Sequence, residues 1–252
     1  MTADSGLSGR RVLITGGGSG VGADLARGFS EAGAHVVITG RRHQPLEAVA
    51  DSLANVEFLV GDVTDEATVV GWFEGGGPVD VVIANAGAAD SAPIHRTTLA
   101  LWNEMLAVNL TGVFLTLRQG ARQMRGREWG RLVTIASTAG LTGYPYVSAY
   151  SAAKHGAVGL TSSIAKELSA TGITANALCP GYVDTEMTER TIANIVDKTG
   201  QDRDTARSAL TSTNPQGRLI QPAEVTAAAL WLCAEGSESI TGQAIAIAGG
   251  EL

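Results

Sequence analysis

Short apolar segments alternate with longer amphipathic ones along the chain. There are seven short segments of this kind: Val12–Thr15, His35–Thr39, Val56–Val60, Val79–Ala84, Arg131–Ala136, Ile173–Leu178 and Ala244–Ala248. Several of them are rich in β-branched residues and nearly continuous in apolar character, as strands covered on both faces are. The pattern therefore predicts seven strands, several of them buried on both faces.

The segments between these strands have helical periodicity. Two apolar faces illustrate it: Leu25, Ala26, Phe29 and Ala32, and then Leu160, Ile164, Ala165 and Leu168. Alternating strands and helices predict an α/β fold, with a parallel sheet and helices on both faces. No repeat or shift in composition marks a second domain, so residues 1–252 are predicted to form one domain. Residues 185–214 are polar and charged, and we expect two short surface helices there, or a lid over the substrate.

Composition excludes several classes of function. The net charge is -7 with no basic block, which argues against nucleic-acid binding. The two cysteines, Cys179 and Cys233, lie among apolar residues without a Cys/His cluster, so we expect buried thiols and no metal site. No apolar run approaches the ~18 residues of a membrane span. The N-terminal segment has no hydrophobic signal core, so the expected location is cytoplasmic, with no membrane partner.

A glycine-rich turn follows the first predicted strand. The sequence from Gly16 to Gly22 is GGGSGVG, and a helical pattern comes next. Glycines permit a tight turn and let a pyrophosphate approach the backbone, and a helix N-terminus supplies free N–H groups. Such a turn alone also fits a plain loop, but the flanking strand and helix favour a dinucleotide-binding turn.

Tyr150 and Lys154 are four residues apart, which places both side chains on one helix face. A nearby ammonium favours the phenolate, so we expect the pKa of Tyr150 to be lowered, as proton transfer near neutral pH requires. The same spacing occurs in ordinary surface pairs, so the context decides. Ser137 ends a predicted strand, where side chains face the ligand crevice of a parallel sheet. Asn109 stands in a helical segment despite its poor helix propensity, which suggests a specific role.

These motifs, in this order, resemble the short-chain dehydrogenase/reductase family. They are TGGGSGVG at Thr15–Gly22, GDV at Gly61–Val63, NAG at Asn85–Gly87, VN at Val108–Asn109, IAS at Ile135–Ser137, YSAAK at Tyr150–Lys154 and PGYVDT at Pro180–Thr185. The resemblance implies a doubly wound Rossmann-like domain with a seven-stranded sheet in the order 3-2-1-4-5-6-7. One departure is visible, because many members have asparagine where Ala84 precedes Asn85.

The resemblance also implies a catalytic set. Ser137 would hold the substrate carbonyl, and Tyr150 would protonate it as hydride arrives from a nicotinamide. Lys154 would hold the nicotinamide ribose and lower the pKa of Tyr150. Asn109 would anchor a water that links Lys154 to solvent.

The residues implied for cofactor binding surround this set. They are Gly16, Ser19, Gly20, Val21 and Gly22 at the turn, Asp62 and Val63 at the adenine, Asn85, Ala86 and Gly87 at its ribose, Tyr150 and Lys154, and Pro180, Gly181, Val183 and Thr185 on the carboxamide side. Gly40 stands where an acidic residue would grip the ribose of NAD, and Arg41 can fork onto a 2′-phosphate. We therefore favour NADP(H). NAD(H) stays open, because Ser19 replaces the basic residue that many NADP-binding relatives carry.

The expected substrate is a ketone or its secondary alcohol. The cleft beside Tyr150 is predicted to be walled by Ala139, Gly140, Leu141, Tyr144, Tyr146, Tyr182 and Met187, without lysine or arginine. Such a wall suits a hydrophobic carbonyl compound. The segments around Ser137, Tyr150 and Pro180 resemble ketoreductases of fatty-acid and aromatic polyketide pathways, which implies reduction of a 3-oxoacyl-type carbonyl.

Two alternatives have different chemistry. One is an NAD-dependent alcohol or hydroxyacyl dehydrogenase. The other is a catalytically silent nucleotide-binding regulator, which the presence of both Tyr150 and Lys154 disfavours. The apolar C-terminal segment Ile240–Gly250 would need cover as an edge strand. In the resembling family it packs against a symmetry mate, so a homotetramer is expected.

Overall fold

The structure is a computed structural model that describes residues 6–75 and 77–252. Residues 1–5, part of the segment in which no signal core is expected, lie outside the described residues. The described chain contains seven strands and nine α-helices: β1 Arg11–Thr15, α1 Gly20–Glu31, β2 His35–Gly40, α2 His43–Asp51, β3 Val56–Val60, α3 Glu66–Glu74, β4 Val81–Ala84, α4 Leu99–Leu106, α5 Gly112–Met124, β5 Gly130–Ile135, α6 Ser148–Glu167, β6 Ile173–Pro180, α7 Glu186–Thr199, α8 Arg203–Thr211, α9 Pro222–Cys233 and β7 Ala244–Ile247.

All seven strands join one parallel sheet in the order β3-β2-β1-β4-β5-β6-β7. The predicted strands, fold class and strand order are therefore confirmed. The strand order reverses between β1 and β4, and in such sheets ligands bind at this switch point, outside the carboxyl ends of the strands.

Apolar side chains cover both faces of the sheet. On one face Leu25 and Phe29 of α1 pack with Val225 and Ala229 of α9. On the other, a second cluster joins buried residues of α3, α5 and α6, among them Trp72, Leu117 and Ala157. These two layers bury the apolar faces that the helical periodicity predicted. Cys179 and Cys233 are buried and unpaired, as expected.

A π-helical turn, Ala107–Thr111, joins α4 and α5 into a continuous helical stretch. Within the described ranges, Leu99–Met124 is the stretch with the length and apolar composition of a membrane span. The inner face of this stretch packs against the sheet, since Val113, Leu117 and Met124 belong to the core beside β4 and β5.

Residues 185–214 contain α7 and α8, as the sequence predicts. The two helices pack through Ile192, Ala206 and Leu210, with Tyr182 against this cluster. The segment thus forms a small helical pair with an apolar seam of its own, beside the carboxyl end of β6.

Candidate active site

The glycine-rich turn packs too tightly for side chains. Gly16 has φ +70°, and a Cβ there would lie 2.9 Å from Ala86 Cα. A Cβ at Gly22 would lie 2.1 Å from the Gly16 carbonyl oxygen. Both glycines are therefore required for the chain to reverse from β1 into α1.

The N-terminus of α1 begins directly after this turn. Ser19 is its N-cap residue, with an extended backbone and no capping hydrogen bond from its side chain, and Val21 in the first turn is half-buried. A Cβ at Gly20 would lie 3.1 Å from Cγ2 of Thr185, the residue that precedes α7. The turn, the helix N-terminus and Thr185 therefore border one space, which has the donors and the close backbone that a pyrophosphate needs.

Thr15 is a site residue that the sequence analysis did not single out. Its buried Oγ1 accepts hydrogen bonds from the backbone N–H groups of Asn85 and Ala86, each at 3.0 Å. In return, Asn85 Nδ2 donates to the carbonyl oxygens of Thr15 at 2.9 Å and Gly16 at 3.2 Å. Asn85 thus ties the end of β4 to the turn. A threonine at a strand end before glycines was the available signal.

The end of β2 carries the residues expected to distinguish the cofactors. No carboxylate stands at Gly40, and the Arg41 side chain is 72% exposed, with Nη1 3.9 Å from Asp62 Oδ2. Asp62 Oδ1 also accepts from the backbone N–H and hydroxyl of Thr64. Val63 is buried against Gly112. Because an exposed ion pair contributes little, Arg41 can exchange Asp62 for another anion at small cost.

Three of the four predicted catalytic residues meet at the carboxyl end of β5. Ser137 follows the strand, and its Oγ accepts a hydrogen bond from Ala139 N–H at 3.1 Å. The Ser137 hydroxyl also hydrogen-bonds the Tyr150 phenol. Lys154 Nζ donates to the Ile135 carbonyl oxygen at 2.9 Å and lies 5.6 Å from the centre of the Tyr150 ring.

Asn109, the fourth, is fully buried in the π-helical turn. Its Nδ2 donates to the carbonyl oxygens of Ala88 at 2.9 Å and Met105 at 3.1 Å, and its Oδ1 accepts from Ala88 N–H at 3.2 Å. A Cβ at Gly87 would lie 3.0 Å from Asn109 Oδ1 and 3.7 Å from Lys154 Nζ. The Asn109 amide therefore lies on the same side of the site as Lys154. Its hydrogen bonds fix the loop that follows β4.

The expectation that Lys154 lowers the pKa of Tyr150 is wrong for this structure. Burial raises the pKa of the Tyr150 phenol to about 12, and only its hydrogen bond with Ser137 opposes that rise. Burial also lowers the pKa of Lys154, to about 8, so the ammonium group loses its proton more readily than usual. Desolvation is the largest cause of both pKa shifts, and neither shift includes a contribution from the other residue.

The predicted substrate wall is present in part. Tyr144 and Tyr182 are half-buried, and burial raises the pKa of both phenols. Tyr146 is 66% exposed, with φ +69°, so it lies at the outer rim. Ala139 and Gly140 are buried, and a Cβ at Gly140 would lie 2.9 Å from the Lys154 carbonyl oxygen, so this segment supports α6. Met187, in the first turn of α7, is half-buried.

The chain after β6 forms the opposite wall. Gly181 N–H donates to the Ile247 carbonyl oxygen at 3.0 Å, directly after Pro180 ends the strand. Val183 is buried, and its carbonyl oxygen accepts from Thr188 Oγ1 at 2.5 Å. These contacts fix the segment that the resemblance places beside the carboxamide.

Glu251 also lies at this wall, although no motif marked it. Its Oε1 accepts a hydrogen bond from the Tyr144 hydroxyl at 2.5 Å. The two residues are 107 positions apart, so no local pattern could have paired them.

Comparison with known proteins agrees with this geometry. The sequence model of the short chain dehydrogenase family matches residues 10–195. The 3-oxoacyl-[acyl-carrier-protein] reductase FabG of Aquifex aeolicus is 34% identical, over 97% of this chain and 98% of the relative. A D-beta-hydroxybutyrate dehydrogenase of Cupriavidus necator is 32% identical, over 94% and 95%.

Among solved structures, an actinorhodin polyketide ketoreductase with NADPH has a TM-score of 0.91 and 34% identity, and the match covers 100% of this chain and 99% of that one. The match to the family model, the full-length relatives and the shared fold agree. The chain belongs to the short-chain dehydrogenase/reductase family of oxidoreductases.

Proposed function

We propose that this protein reduces a hydrophobic or 3-oxoacyl-type ketone to a secondary alcohol with NADPH, and that Tyr150 is the proton donor. The observation that carries the proposal is the meeting of Ser137, Tyr150 and Lys154 at the carboxyl end of β5, beside the glycine-rich turn. A catalytically silent regulator would not need a buried lysine next to a tyrosine and a serine at this position.

The roles of the residues follow from their positions. The Ser137 hydroxyl, already hydrogen-bonded to the phenol, is placed to donate to a carbonyl oxygen. The pKa of Tyr150 is about 12, so the phenol is protonated at neutral pH and the proton for the carbonyl oxygen is present. Lys154 places a positive charge beside the Tyr150 phenol. Asn109 would anchor a water molecule that supplies protons. The reduced nicotinamide, when bound, supplies the hydride.

The turn and the end of β2 fit a dinucleotide with a 2′-phosphate. Gly16 and Gly22 leave room for close backbone approach, and the N-terminus of α1 can face the pyrophosphate. Arg41, exposed and weakly paired, would take the 2′-phosphate. The structural relative with NADPH supports this choice. Asp62, Val63, Gly87, Pro180 and Thr185 would border the remainder of the cofactor.

The substrate would enter between the Tyr144 and Tyr182 side chains. In this proposal residues 1–252 act as one domain, and residues 185–214 act as a lid. Two contacts from α7 support a lid position: Asn194 Nδ2 donates to Ser91 Oγ, and Lys198 Nζ donates to the Ser91 carbonyl oxygen, each at 3.4 Å. These long hydrogen bonds link the helical pair to the loop after β4 across the cleft. A small number of weak contacts is what a segment that opens for substrate requires.

A substrate and cofactor panel tests the proposal. A 3-oxoacyl thioester, an aryl ketone and a short hydroxy acid are compared with NADP(H) and NAD(H) by kcat/KM. We expect the best values for a ketone with NADPH. The hydroxybutyrate dehydrogenase among the relatives supports the alternative, an NAD-dependent dehydrogenase. Best activity on the hydroxy acid with NAD would favour it and contradict our proposal.

We also propose a homotetramer. Among the described residues, strand β7 pairs with β6 alone, and its alternate residues Ala244 and Ala246 are exposed along a short apolar edge. Trp231 of α9 is 49% exposed as well. Small side chains at an uncovered edge suit close packing against a second copy. Light scattering at micromolar concentration should give a tetramer mass, and a monomer mass would contradict the proposal.

A further inference from the structure

Glu251 places a carboxylate at a wall that the sequence predicts to be apolar and aromatic, without lysine or arginine. Oε1 accepts from the Tyr144 hydroxyl at 2.5 Å, so the carboxylate is held in position. A Cβ at Gly181 would lie 3.3 Å from Oε2, so the second oxygen faces the segment after β6. The carboxylate is half-buried and bridges the two walls of the cleft.

The charge of Glu251 reaches the aromatic wall. It contributes, after burial, to the raised pKa values of both Tyr144 and Tyr182. Tyr182 in turn contributes to the raised pKa of Tyr150. Tyr144, Gly181 and Glu251 follow the carboxyl ends of the neighbouring strands β5, β6 and β7, the end of the sheet at which Ser137 also lies. The carboxylate therefore belongs to the same end of the sheet as the proposed catalytic residues.

This charge has no cationic partner within residues 6–75 and 77–252. None of the ion pairs there includes Glu251. By contrast, Glu189 on α7 pairs with both Arg203 and Arg207. An unneutralised carboxylate in a partly desolvated cleft repels an anion more strongly than one in open water does.

We propose that Glu251 is a specificity-determining residue that excludes substrates with a carboxylate near the carbonyl and admits neutral or cationic ketones. The inference rests on the proposed function and names its substrate class. Tyr144 occupies Oε1, which leaves Oε2 as an acceptor for a hydroxyl or ammonium on the substrate. An ester, thioester or amino ketone meets these conditions, whereas a free 3-oxo acid does not.

The test uses one acyl skeleton with and without charge. Ethyl 3-oxobutanoate and 3-oxobutanoate are compared by kcat/KM in the wild type and in Glu251→Gln, which keeps the size of the side chain but removes its charge. Glu235→Gln is the matched control, because Glu235 is an exposed glutamate just after α9, and α9 ends near the amino end of β5, away from the carboxyl ends of the strands. The wild type is also measured at rising salt, which screens the charge without any substitution.

We expect the ratio of kcat/KM for the ester to kcat/KM for the acid to fall roughly tenfold in Glu251→Gln, because one repulsion between like charges is lost. The control should keep the wild-type ratio, and salt should lower that ratio. An unchanged ratio in Glu251→Gln, or an equal fall in the control, overturns the proposal. If the wild type reduces the ester well and the ratio does not move, only this inference fails. If it reduces neither ketone with either cofactor, the proposed function itself fails.

Discussion

The two sides of the candidate cleft are held by different kinds of contact. On the Ser137–Lys154 side, Lys154 and Asn109 are buried and bonded to backbone carbonyl oxygens. On the α7–α8 side, the apolar seam of Ile192, Ala206 and Leu210 joins the two helices to each other, whereas half-exposed ion pairs and two 3.4 Å hydrogen bonds to Ser91 lie at their surface. Buried hydrogen bonds are costly to break, and exposed ion pairs are cheap. We therefore propose a fixed chemical site on the first side and movement of the helical pair on the second.

The largest effect is expected from a substitution on the Ser137–Lys154 side. Tyr150→Phe removes the proton donor and leaves the ring, so kcat for ketone reduction should fall at least ~100-fold. Cofactor binding, measured by fluorescence titration, should be retained, because the glycine-rich turn is untouched. Ser163→Ala, a substitution on the same helix α6 at an exposed position, is the control. A Tyr150→Phe variant with more than half the wild-type activity would disprove the assignment.

The next effect concerns the buried charge of Lys154. Its pKa is lowered to about 8, so the ammonium is present below that pH and is lost as the pH rises through it. The pKa of Tyr150, about 12, lies above the working range. We therefore expect kcat/KM for reduction to fall by about tenfold per pH unit above pH 8.

Lys154→Arg sharpens this prediction. A guanidinium stays charged at these pH values. The variant should be slower overall but lose the alkaline decline near pH 8. A wild-type profile that stays flat to about pH 10 would show that Lys154 does not titrate as its burial implies.

A smaller effect is expected at the cofactor phosphate. Arg41→Ala should lower kcat/KM for NADPH by about tenfold, the loss of one charge-assisted hydrogen bond, and should leave NADH almost unchanged. Arg27→Ala, on the exposed face of α1, is the matched control. Equal losses with both cofactors would mean that Arg41 supports the fold and does not read the phosphate.

The smallest effect is predicted on the α7–α8 side. Glu189→Gln weakens the pairs with Arg203 and Arg207 at once. Each exposed pair contributes at most about 1 kcal/mol, so losing both should lower Tm by no more than about 4–8 °C, and kcat should change less than about twofold. Glu104→Gln on α4 serves as the control. A loss of kcat comparable to that of Tyr150→Phe would remove the distinction between the two sides.

Much of the fold follows from local pattern. The strands of a parallel sheet are nearly continuous in apolar residues, which is why all seven were predictable within one or two residues. The meeting of Ser137, Tyr150 and Lys154 was also predictable, since they lie at a strand end and on the helix that follows it.

Other properties depend on contacts that sequence spacing does not contain. The spacing of Tyr150 and Lys154 predicted mutual attraction, but the burial that dominates both pKa values comes from neighbouring strands and loops. Glu251 reaches Tyr144 across 107 positions. Asn109 was recognised as an unusual helix residue, but the π-helical turn around it was not predicted, because its hydrogen bonds go to the loop after β4.

That π-helical turn lets the helix carry one extra residue without changing the direction in which its neighbours point. A π turn accommodates one residue more than an α turn does, so α4 and α5 keep the faces that a regular helix one residue shorter would present. The extra residue lies where Asn109 meets the loop after β4. Deleting one residue from Ala107–Thr111 should therefore keep Val113 and Leu117 packed on the sheet, but it should displace the Asn109 amide from Ala88.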